Sequence, residues 1–258
     1  MNILRKIYRQ YVLHRYAIRH SLWHETIEKI TITQRLTAVE LAHLRTLVTL
    51  FLHSKTITGA TDLEITDKMK LCIAIQSCLL VLHLDLDYLD GWTQVIVYPG
   101  EFKISRDVTD SIGLVHHEEN VLMGESWSKG PVILSWQSIE EDLAEPHKGH
   151  NVIIHEMAHK LDMLNGSVDG LPPLSSRLKV NEWIDDLTKV YEHLNQRLER
   201  HHSCEINPYA ATSPGEFFAV ISEYFFSAPE ILNAYFPILY QELKSFYYQD
   251  TLIHASSK

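Results

Sequence analysis

Residues 155–159 read His-Glu-Met-Ala-His, and this stretch decides how the rest of the chain is interpreted. On an α-helix, His155 and His159 are one turn apart, about 6 Å along the axis, so both rings lean to one face and can bind one metal ion. Glu156 lies about 100° further round the helix, where its carboxylate can take a proton from water that the metal activates. The spacing therefore indicates a zinc centre of the hydrolase type.

The surroundings of the motif strengthen this interpretation. A chain with 16 histidines and 33 acidic residues can produce the spacing by chance. Residues 151–154 are mostly apolar, however. After Glu156, Met157, Ala158 and Leu161 are uncharged, and Lys160 is the one further charged residue of this turn. Two imidazoles and a carboxylate that enter a protein core are costly unless something binds them, and zinc is the simplest partner.

Three carboxylates compete to be the third protein ligand. Asp162 lies about 10 Å along the axis from His155, beyond the reach of its short side chain, and we interpret it as a cap or as a partner of a ligand. Glu216 and Glu223 lie on a second helical pattern, residues 216–226, which is apolar on nearly every side. Pro214 suits the first turn of that helix and places Glu216 near its start.

Four separated blocks then carry a resemblance to a known family. They are residues 110–116, residues 124–136, residues 155–174 and residues 209–226. In content and order they resemble the Mlc titration factor A family, bacterial zinc-dependent peptidases related to the catalytic domain of anthrax lethal factor. With the segments between them, the blocks span about half of the chain, which is far more specific than the pentapeptide alone.

The resemblance implies that His155, His159 and Glu216 are the zinc ligands and that Glu156 is the general base. It favours Glu216 because the family's ligand closes a Pro-x-Glu just ahead of a Phe-Ala-Val run, as residues 214–216 do here. Glu223 then has two open interpretations. It either orients a ligating histidine from the same helix face or points to solvent.

Tyr209 is the residue that the resemblance places at the substrate carbonyl. Many zinc peptidases use a phenol or an imidazole to donate a hydrogen bond to the oxyanion. The alternative is a loop tyrosine packed against the sheet, the commoner situation for any one of 12 tyrosines.

His116 is a further candidate ligand, because it ends a matched block and the resemblance suggests that it reaches the zinc. Four protein ligands would close a site that catalysis needs open. We therefore expect a latent state in which His116 is a displaceable fourth ligand. The alternative is a solvated loop histidine.

Composition predicts one enzyme domain, residues 25–258, after a basic segment, residues 1–24. The chain has 258 residues and 45% hydrophobic content, enough for a single core. Its three cysteines, Cys72, Cys78 and Cys204, form neither a disulfide framework nor a Cys-x-x-Cys element, which favours a reducing cytoplasm.

Targeting signals are absent from the sequence. The apolar run at residues 71–82 is too short to span a bilayer. Residues 1–24 carry five basic residues and no acidic one, and they lack the apolar core of a signal peptide. Their apolar spacing predicts an amphipathic helix, either docked on the body or frayed, or lying on a membrane surface.

Net charge limits the partners. A formal charge of −10 argues against direct binding of nucleic acid and favours a basic peptide or protein. The resemblance implies a particular protein partner, Mlc, the repressor of the glucose phosphotransferase genes.

Hydrophobic periodicity predicts an α+β fold, mostly helical and zincin-like by resemblance, with a small sheet beside the active-site helix. Residues 33–52 and 67–84 show helical spacing, whereas residues 93–98 and 130–136 are typical of strands. We expect the second strand to hold a substrate peptide by edge pairing.

Taken with the resemblance, these patterns predict a zinc metallopeptidase with one Zn²⁺ per chain and aminopeptidase-like activity. One alternative is a protein that chiefly titrates a repressor and has a weak or latent peptidase site. The other is a zinc that serves only as a structural staple, which a closed site with His116 would supply.

Overall fold

The helix that carries the motif lies between a small sheet and a second buried helix. The computed structural model describes residues 3–100, 102–109, 115–122, 124–126, 130–174, 176–201 and 204–253, and for residues 102–126 it describes the backbone alone. The helices of this part of the chain are α1 (Ile3–Arg15), α2 (His20–Ile27), α3 (Ala38–Ser54), α4 (Asp67–Leu80), α5 (Trp136–Ala144), α6 (Val152–Asp162), α7 (Arg177–Glu199), α8 (Pro214–Ser227), α9 (Pro229–Tyr235) and α10 (Pro237–Tyr247).

The strands form a four-stranded sheet and a separate hairpin. The strands are β1 (Thr56–Gly59), β2 (Gln94–Tyr98), β3 (Phe102–Thr109), β4 (Val115–Leu122), β5 (Gly124–Ser126) and β6 (Val132–Ser135). The sheet has the order β1-β2-β6-β5, in which β1, β2 and β6 are parallel and β5 is antiparallel to β6. Strands β3 and β4 pair with each other as an antiparallel hairpin.

Helix α6 is the centre of this arrangement. It packs against α8 and α4, and it contacts strands β5 and β6. Its residues from Val152 to Asp162 are buried except for His155, which is partly exposed. Because the helix is enclosed on all sides, every polar side chain on it needs a partner.

The helix boundaries follow local capping chemistry. Thr37 starts α3 with a capping box, in which its side chain accepts a bond from the Glu40 N–H and the Glu40 carboxylate accepts one from the Thr37 N–H. Asn151 caps α6 by a single bond, in which its Oδ1 accepts from the Ile154 N–H at 3.0 Å. Helix α6 ends in the 3-10 turn Met163–Asn165, and Gly166 follows with a left-handed φ of 103°, which a glycine adopts without strain.

The predicted fold class is confirmed, with corrections in detail. The α3 and α4 helices and the β2 strand lie close to their predicted ranges, but β1, between α3 and α4, was not predicted. The expectation that residues 130–136 form an edge strand is wrong, because β6 pairs with β2 on one side and β5 on the other. The antiparallel strand β5 is instead an edge strand of this sheet.

The predicted boundary between the basic segment and the enzyme domain, at residue 24, does not fall between two helices. Helix α2 runs from His20 to Ile27, so the predicted boundary falls inside it, and α1 packs on α3. All three cysteines are free, and Cys72 and Cys78 are buried core residues as expected. None of the described helices is long and apolar enough to cross a lipid bilayer.

Candidate metal centre

Three side chains from α6 and α8 meet at one point. The Nε2 atoms of His155 and His159 are 3.1 Å apart, and Glu216 Oε2 lies 3.1 Å from the first and 3.3 Å from the second. Ligand atoms bound to zinc at 2.0–2.2 Å in a tetrahedral site are about 3.3–3.5 Å apart. Two imidazole nitrogens and a carboxylate oxygen in a nearly equilateral triangle of this size fit a zinc ion.

Glu216 is brought to the triangle by the start of α8. Ser213 caps that helix by accepting a bond from the Glu216 N–H at 3.2 Å, and Pro214 occupies the first turn. Burial alone would raise the pKa of the Glu216 carboxyl, but hydrogen bonds from His155 and His159 and the charge on their rings hold it well below its usual range. Glu216 is therefore ionised and ready to bind a cation.

Glu223 fixes the orientation of the His155 ring. Its Oε1 accepts a hydrogen bond from His155 Nδ1 at 2.8 Å, and its Oε2 accepts one from the Asn151 N–H at 2.6 Å. The side chain is buried, so the interpretation of Glu223 as a solvent-facing residue is wrong. Because Nδ1 donates to Glu223, the ring is held with Nε2 at the triangle, and a bound metal would take the place of the Nε2 proton.

Glu156 lies beside the triangle without belonging to it. The residue is 2% exposed, and its Oε2 has no hydrogen-bond partner within the described part of the chain. Burial raises the pKa of Glu156 to about 8, against the positive charges of His155 and Lys160, which lower it. A carboxyl group with this pKa takes up and releases a proton near neutral pH.

Tyr209 comes from the 3-10 turn Pro208–Ala211, which Asn207 caps. Its ring centroid is 6.0 Å from that of His155. Burial, followed by the negative charges of Glu216 and Glu156, raises the pKa of the phenol. Tyr209 therefore keeps its proton and can donate a hydrogen bond into the site. Its role as the donor to the oxyanion stays a prediction.

Two predicted residues have different outcomes. His116 lies in β4, where its backbone pairs with Val108, but its side chain lies outside the described residues, so its role as a ligand stays a prediction. Asp162 is fully buried and does not belong to the metal-binding group of three. Its Oδ2 accepts a bond from the Gly170 N–H at 3.0 Å, and burial raises its pKa to about 6.

Gly170 and Gly215 hold the two ligand helices at close range. Gly170 has a φ of 76°, and a Cβ there would lie 2.5 Å from the Pro214 carbonyl oxygen. A Cβ at Gly215 would lie 2.5 Å from a methyl group of Val168. The loop after α6 therefore packs directly on the start of α8, which fixes the distance between His159 and Glu216.

Lys160 was noted in the sequence but given no role. It is 3% exposed, and its Nζ donates a hydrogen bond to the Gly130 carbonyl at 3.1 Å and lies 5.4 Å from the centre of the Trp92 ring. Burial lowers its pKa to about 8, while the charge of Glu156 raises it. Lys160 thus connects α6 to the segment that leads into β6. Its position one turn after Glu156, as the only basic residue of α6 apart from the two histidines, was the signal for it.

The N-terminus of α6 rests on a second buried carboxylate. Asp142 Oδ2 accepts a bond from the Val152 N–H at 2.8 Å, and its Oδ1 pairs with the His150 ring. The bond to Asp142 raises the pKa of His150, and burial raises the pKa of Asp142. Because both shifts have the same sign, the pair retains a proton to higher pH than either group would alone.

A mostly helical α+β fold, in which α6 contributes two histidines and α8 a glutamate to one partly buried His-His-Glu cluster, is typical of the metallopeptidase class. The family model described as glucose-regulated metallo-peptidase M90 matches residues 4–248, and the chain belongs to this family. It is also similar to curated proteins named Mlc titration factor A. The one from Escherichia coli (strain 55989 / EAEC) is 40% identical over 234 residues, covering 89% of this chain and 86% of the relative.

Two further relatives carry the same name. The protein from Salmonella arizonae is 40% identical over 232 residues, covering 89% of this chain and 91% of the relative. The protein from Klebsiella pneumoniae (strain 342) is 38% identical over 232 residues, covering 89% and 86%. The predicted family is thereby confirmed.

Proposed function

We propose that the chain is a zinc-dependent peptidase in which His155, His159 and Glu216 hold the metal and Glu156 is the general base. The observation that carries the proposal is the triangle of ligand atoms with sides of 3.1 to 3.3 Å, beside a buried glutamate that has an oxygen without a partner in the described part of the chain. Membership of a metallopeptidase family supports it.

Zinc, when bound, supplies the Lewis acidity that polarises a peptide carbonyl and lowers the pKa of water toward about 7. Glu156 takes the proton from the attacking water and passes it to the leaving amine. Burial raises the pKa of Glu156 to about 8, and a bound cation would lower it, so the carboxylate is ionised when it accepts the proton.

Tyr209 and Glu223 have supporting roles in this proposal. The protonated phenol of Tyr209 donates a hydrogen bond to the oxyanion that develops on the substrate carbonyl. Glu223 is a positioning residue, because it contacts the His155 ring on the side away from the triangle and holds the Nε2 atom in place.

The substrate lies along β5 in this proposal. β5 ends the sheet, runs antiparallel to β6 and packs beside α6, so an extended peptide can pair with it and reach Glu156. The resemblance further implies aminopeptidase-like cleavage of short peptides. Comparing a peptide that has a free N-terminus with its N-acetylated form tests this, and equal cleavage of both would exclude it.

His116 is proposed as a displaceable fourth ligand that keeps the site latent. Removing it opens a coordination position, so His116→Ala should bind zinc less tightly and yet cleave peptide faster than the wild type at saturating zinc. A variant that is slower than the wild type would leave His116 without this role.

The second candidate is repressor titration, which the names of the relatives favour. In this proposal the chain binds Mlc in the cytoplasm, and its unpaired cysteines suit that reducing compartment. Binding and cleavage can coexist, so the two functions are separated by a variant that affects only the chemistry.

Glu156→Gln is that variant, because Glu156 lies outside the ligand triangle. We expect it to keep the metal, as measured by mass spectrometry, and to lose peptide turnover by about 10²-fold or more. Glu192→Gln, an exposed substitution on α7, is the matched control. Near-normal turnover in Glu156→Gln would exclude Glu156 as the base, and absence of cleavage by the zinc-loaded wild type would exclude the enzyme.

A further inference from the structure

Helix α1 is held to the body of the protein by its charged side. Arg5 donates hydrogen bonds to the Asp87 carboxylate. Arg9 Nη2 lies 3.0 Å from Asp87 Oδ1 and 3.3 Å from Asp85 Oδ1. Val12, on the same side of the helix, is completely buried. These contacts determine which face of α1 points away from the protein.

The face that points away is apolar. Five of its large side chains have between 56% and 74% of their surface exposed: Ile3, Leu4, Ile7, Tyr8 and Tyr11. They repeat at intervals of three and four residues, which places them on one side of the helix. A soluble helix normally buries such a stripe, and an exposed apolar patch of this kind marks an interaction surface.

The apolar face continues into a groove between α1 and α3. The groove has a volume of about 610 Å³, and Ile7, Leu13, Leu47 and Leu50 are among its lining residues. Among the described residues, its charged lining groups are basic: Arg9, which pairs with Asp85 and Asp87, and Lys6. An apolar groove with a lysine beside it suits an acyl chain that has a phosphate headgroup at its end.

The charge of the N-terminal region favours an anionic occupant. Residues 1–24 contain five basic residues and no acidic residue. Arg5, Arg9 and Arg19 pair with aspartates outside this segment, so the charges that face an occupant are those of Lys6 and Arg15. If a second copy packed α1 against α1, Lys6 and Arg15 of both copies would surround one seam with no acidic group on either helix. Like charges at such a seam are unfavourable, whereas anionic headgroups would neutralise them.

The shape of the face favours a bilayer over a folded partner. Ile3 and Leu4 have more than 70% of their surface exposed, and a folded protein would need a matching concave site for them, whereas lipid deforms around them. Tyr8 and Tyr16 flank His53. The Tyr8 hydroxyl lies 2.8 Å from His53 Nε2, and the ring centroids of Tyr16 and His53 are 4.6 Å apart. Tyrosine rings prefer the level of the headgroups, where one end is apolar and the other is wet.

We propose that α1 is a peripheral membrane-binding helix, which inserts Ile3, Leu4 and Ile7 into an anionic phospholipid surface while Lys6 and Arg15 contact the phosphates. The helix lies in the plane of the interface and does not span the bilayer. The active site lies on other elements, α6 and α8, so lipid binding and peptidase activity can be measured independently.

Co-sedimentation with vesicles tests the proposal. We expect the full-length protein to bind vesicles of phosphatidylcholine mixed with phosphatidylglycerol and to bind pure phosphatidylcholine more weakly. The double variant Ile3→Ser/Ile7→Ser should reduce binding by about 10-fold or more, because two inserted side chains are lost. A second variant, Lys6→Glu/Arg15→Glu, should reduce binding to the anionic vesicles specifically.

The control is a double variant that removes equally exposed apolar side chains elsewhere. Leu178 and Ile253 are 69% and 63% exposed, so Leu178→Ser/Ile253→Ser should leave vesicle binding unchanged. Circular dichroism of each variant verifies folding.

Two results would overturn the proposal. One is that wild type and the Ile3/Ile7 variant bind anionic vesicles equally, or that neither binds. The other is a wild-type dimer that the same variant converts to a monomer in sedimentation equilibrium without any lipid binding. That result would assign the face to a second copy of the chain.

Discussion

Helices α6 and α1 depart from the usual amphipathic arrangement in opposite directions. Helix α6 buries charged and polar side chains, including Glu156, His159 and Lys160, whereas α1 exposes Ile3 and Ile7. Buried polar groups and exposed apolar patches are the two departures that carry information, because each costs free energy that a partner can recover. The comparison indicates a cation for α6 and a lipid surface for α1.

The polar groups of α6 are tolerated because most of them are paired inside the protein. Glu223 holds His155, Asp142 accepts a bond from the first turn, and Lys160 bonds to the Gly130 carbonyl. Within the described residues, three buried side-chain atoms of α6 have no hydrogen-bond partner: Glu156 Oε2, His159 Nδ1 and Asp162 Oδ1. Buried polar atoms of this kind require water, substrate or another polar group as a partner.

The largest expected effect is the loss of the metal from Glu216→Ala. This variant removes one of three ligand atoms, so we expect the wild type to retain about one zinc per chain after dialysis and the variant to retain almost none. Elemental analysis by mass spectrometry measures both. Glu230→Ala, an exposed glutamate on α9, is the control. Equal zinc content in Glu216→Ala and wild type would exclude Glu216 as a metal ligand.

A smaller effect is expected from Glu223→Gln. The glutamine keeps the size of the side chain but loses the charge that holds His155 and the Asn151 N–H. Zinc affinity should fall by about 10- to 100-fold, as is usual when the partner of a ligating histidine is removed. Competition with a chelator measures the affinity, and Glu192→Gln should be unaffected. An unchanged affinity would mean that Glu223 supports the helix and not the ligand.

The next effect concerns the N-terminus of α6 and depends on pH. The raised pKa of His150 means that its contribution to stability is fully present below its unfolded pKa of about 6.5 and is lost as pH rises through the folded value. His150→Gln should therefore lower the melting temperature more at about pH 6 than at about pH 9. The difference should correspond to less than about 1 kcal/mol, since the ring is partly exposed. A difference that is independent of pH would contradict it.

The smallest effect is expected in α1. Ile7→Ser should change the free energy of unfolding by no more than about 0.5 kcal/mol, because the side chain already contacts solvent. Met157→Ala in α6 removes a fully buried side chain and should cost about 2–5 kcal/mol. Urea denaturation measures both. A large cost for Ile7→Ser would mean that its side chain packs within the folded protein, and the face would not be free for a partner.

Local pattern was sufficient for much of the site. The 3.6-residue period placed His155 and His159 on one face, and Ser213 with Pro214 marked the start of α8, which brings Glu216 to the cluster. The resemblance selected Glu216 over Glu223 as the ligand. In the structure Glu216 contacts both Nε2 atoms, whereas Glu223 contacts His155 Nδ1.

Other features depended on contacts between distant segments. The pairing of β6 on both sides was not visible in its sequence, because a short apolar strand reads alike at the edge and in the middle of a sheet. The orientation of α1 could not be read from its sequence either, because its amphipathic pattern allows either face to pack on the protein. Ion pairs from Arg9 to Asp85 and Asp87 hold the charged face against the body.

The sequence by itself determined which chemistry the chain carries, because motif spacing, capping residues and hydrophobic period act within a few residues of one another. Only the tertiary structure decided how close the two ligand helices lie, through Gly170 and Gly215, and which carboxylate meets which nitrogen of His155. It also decided that α1 shows its apolar face to solvent. These outcomes depend on long-range packing and ion pairs, whose partners are far apart in the chain and leave no local signal.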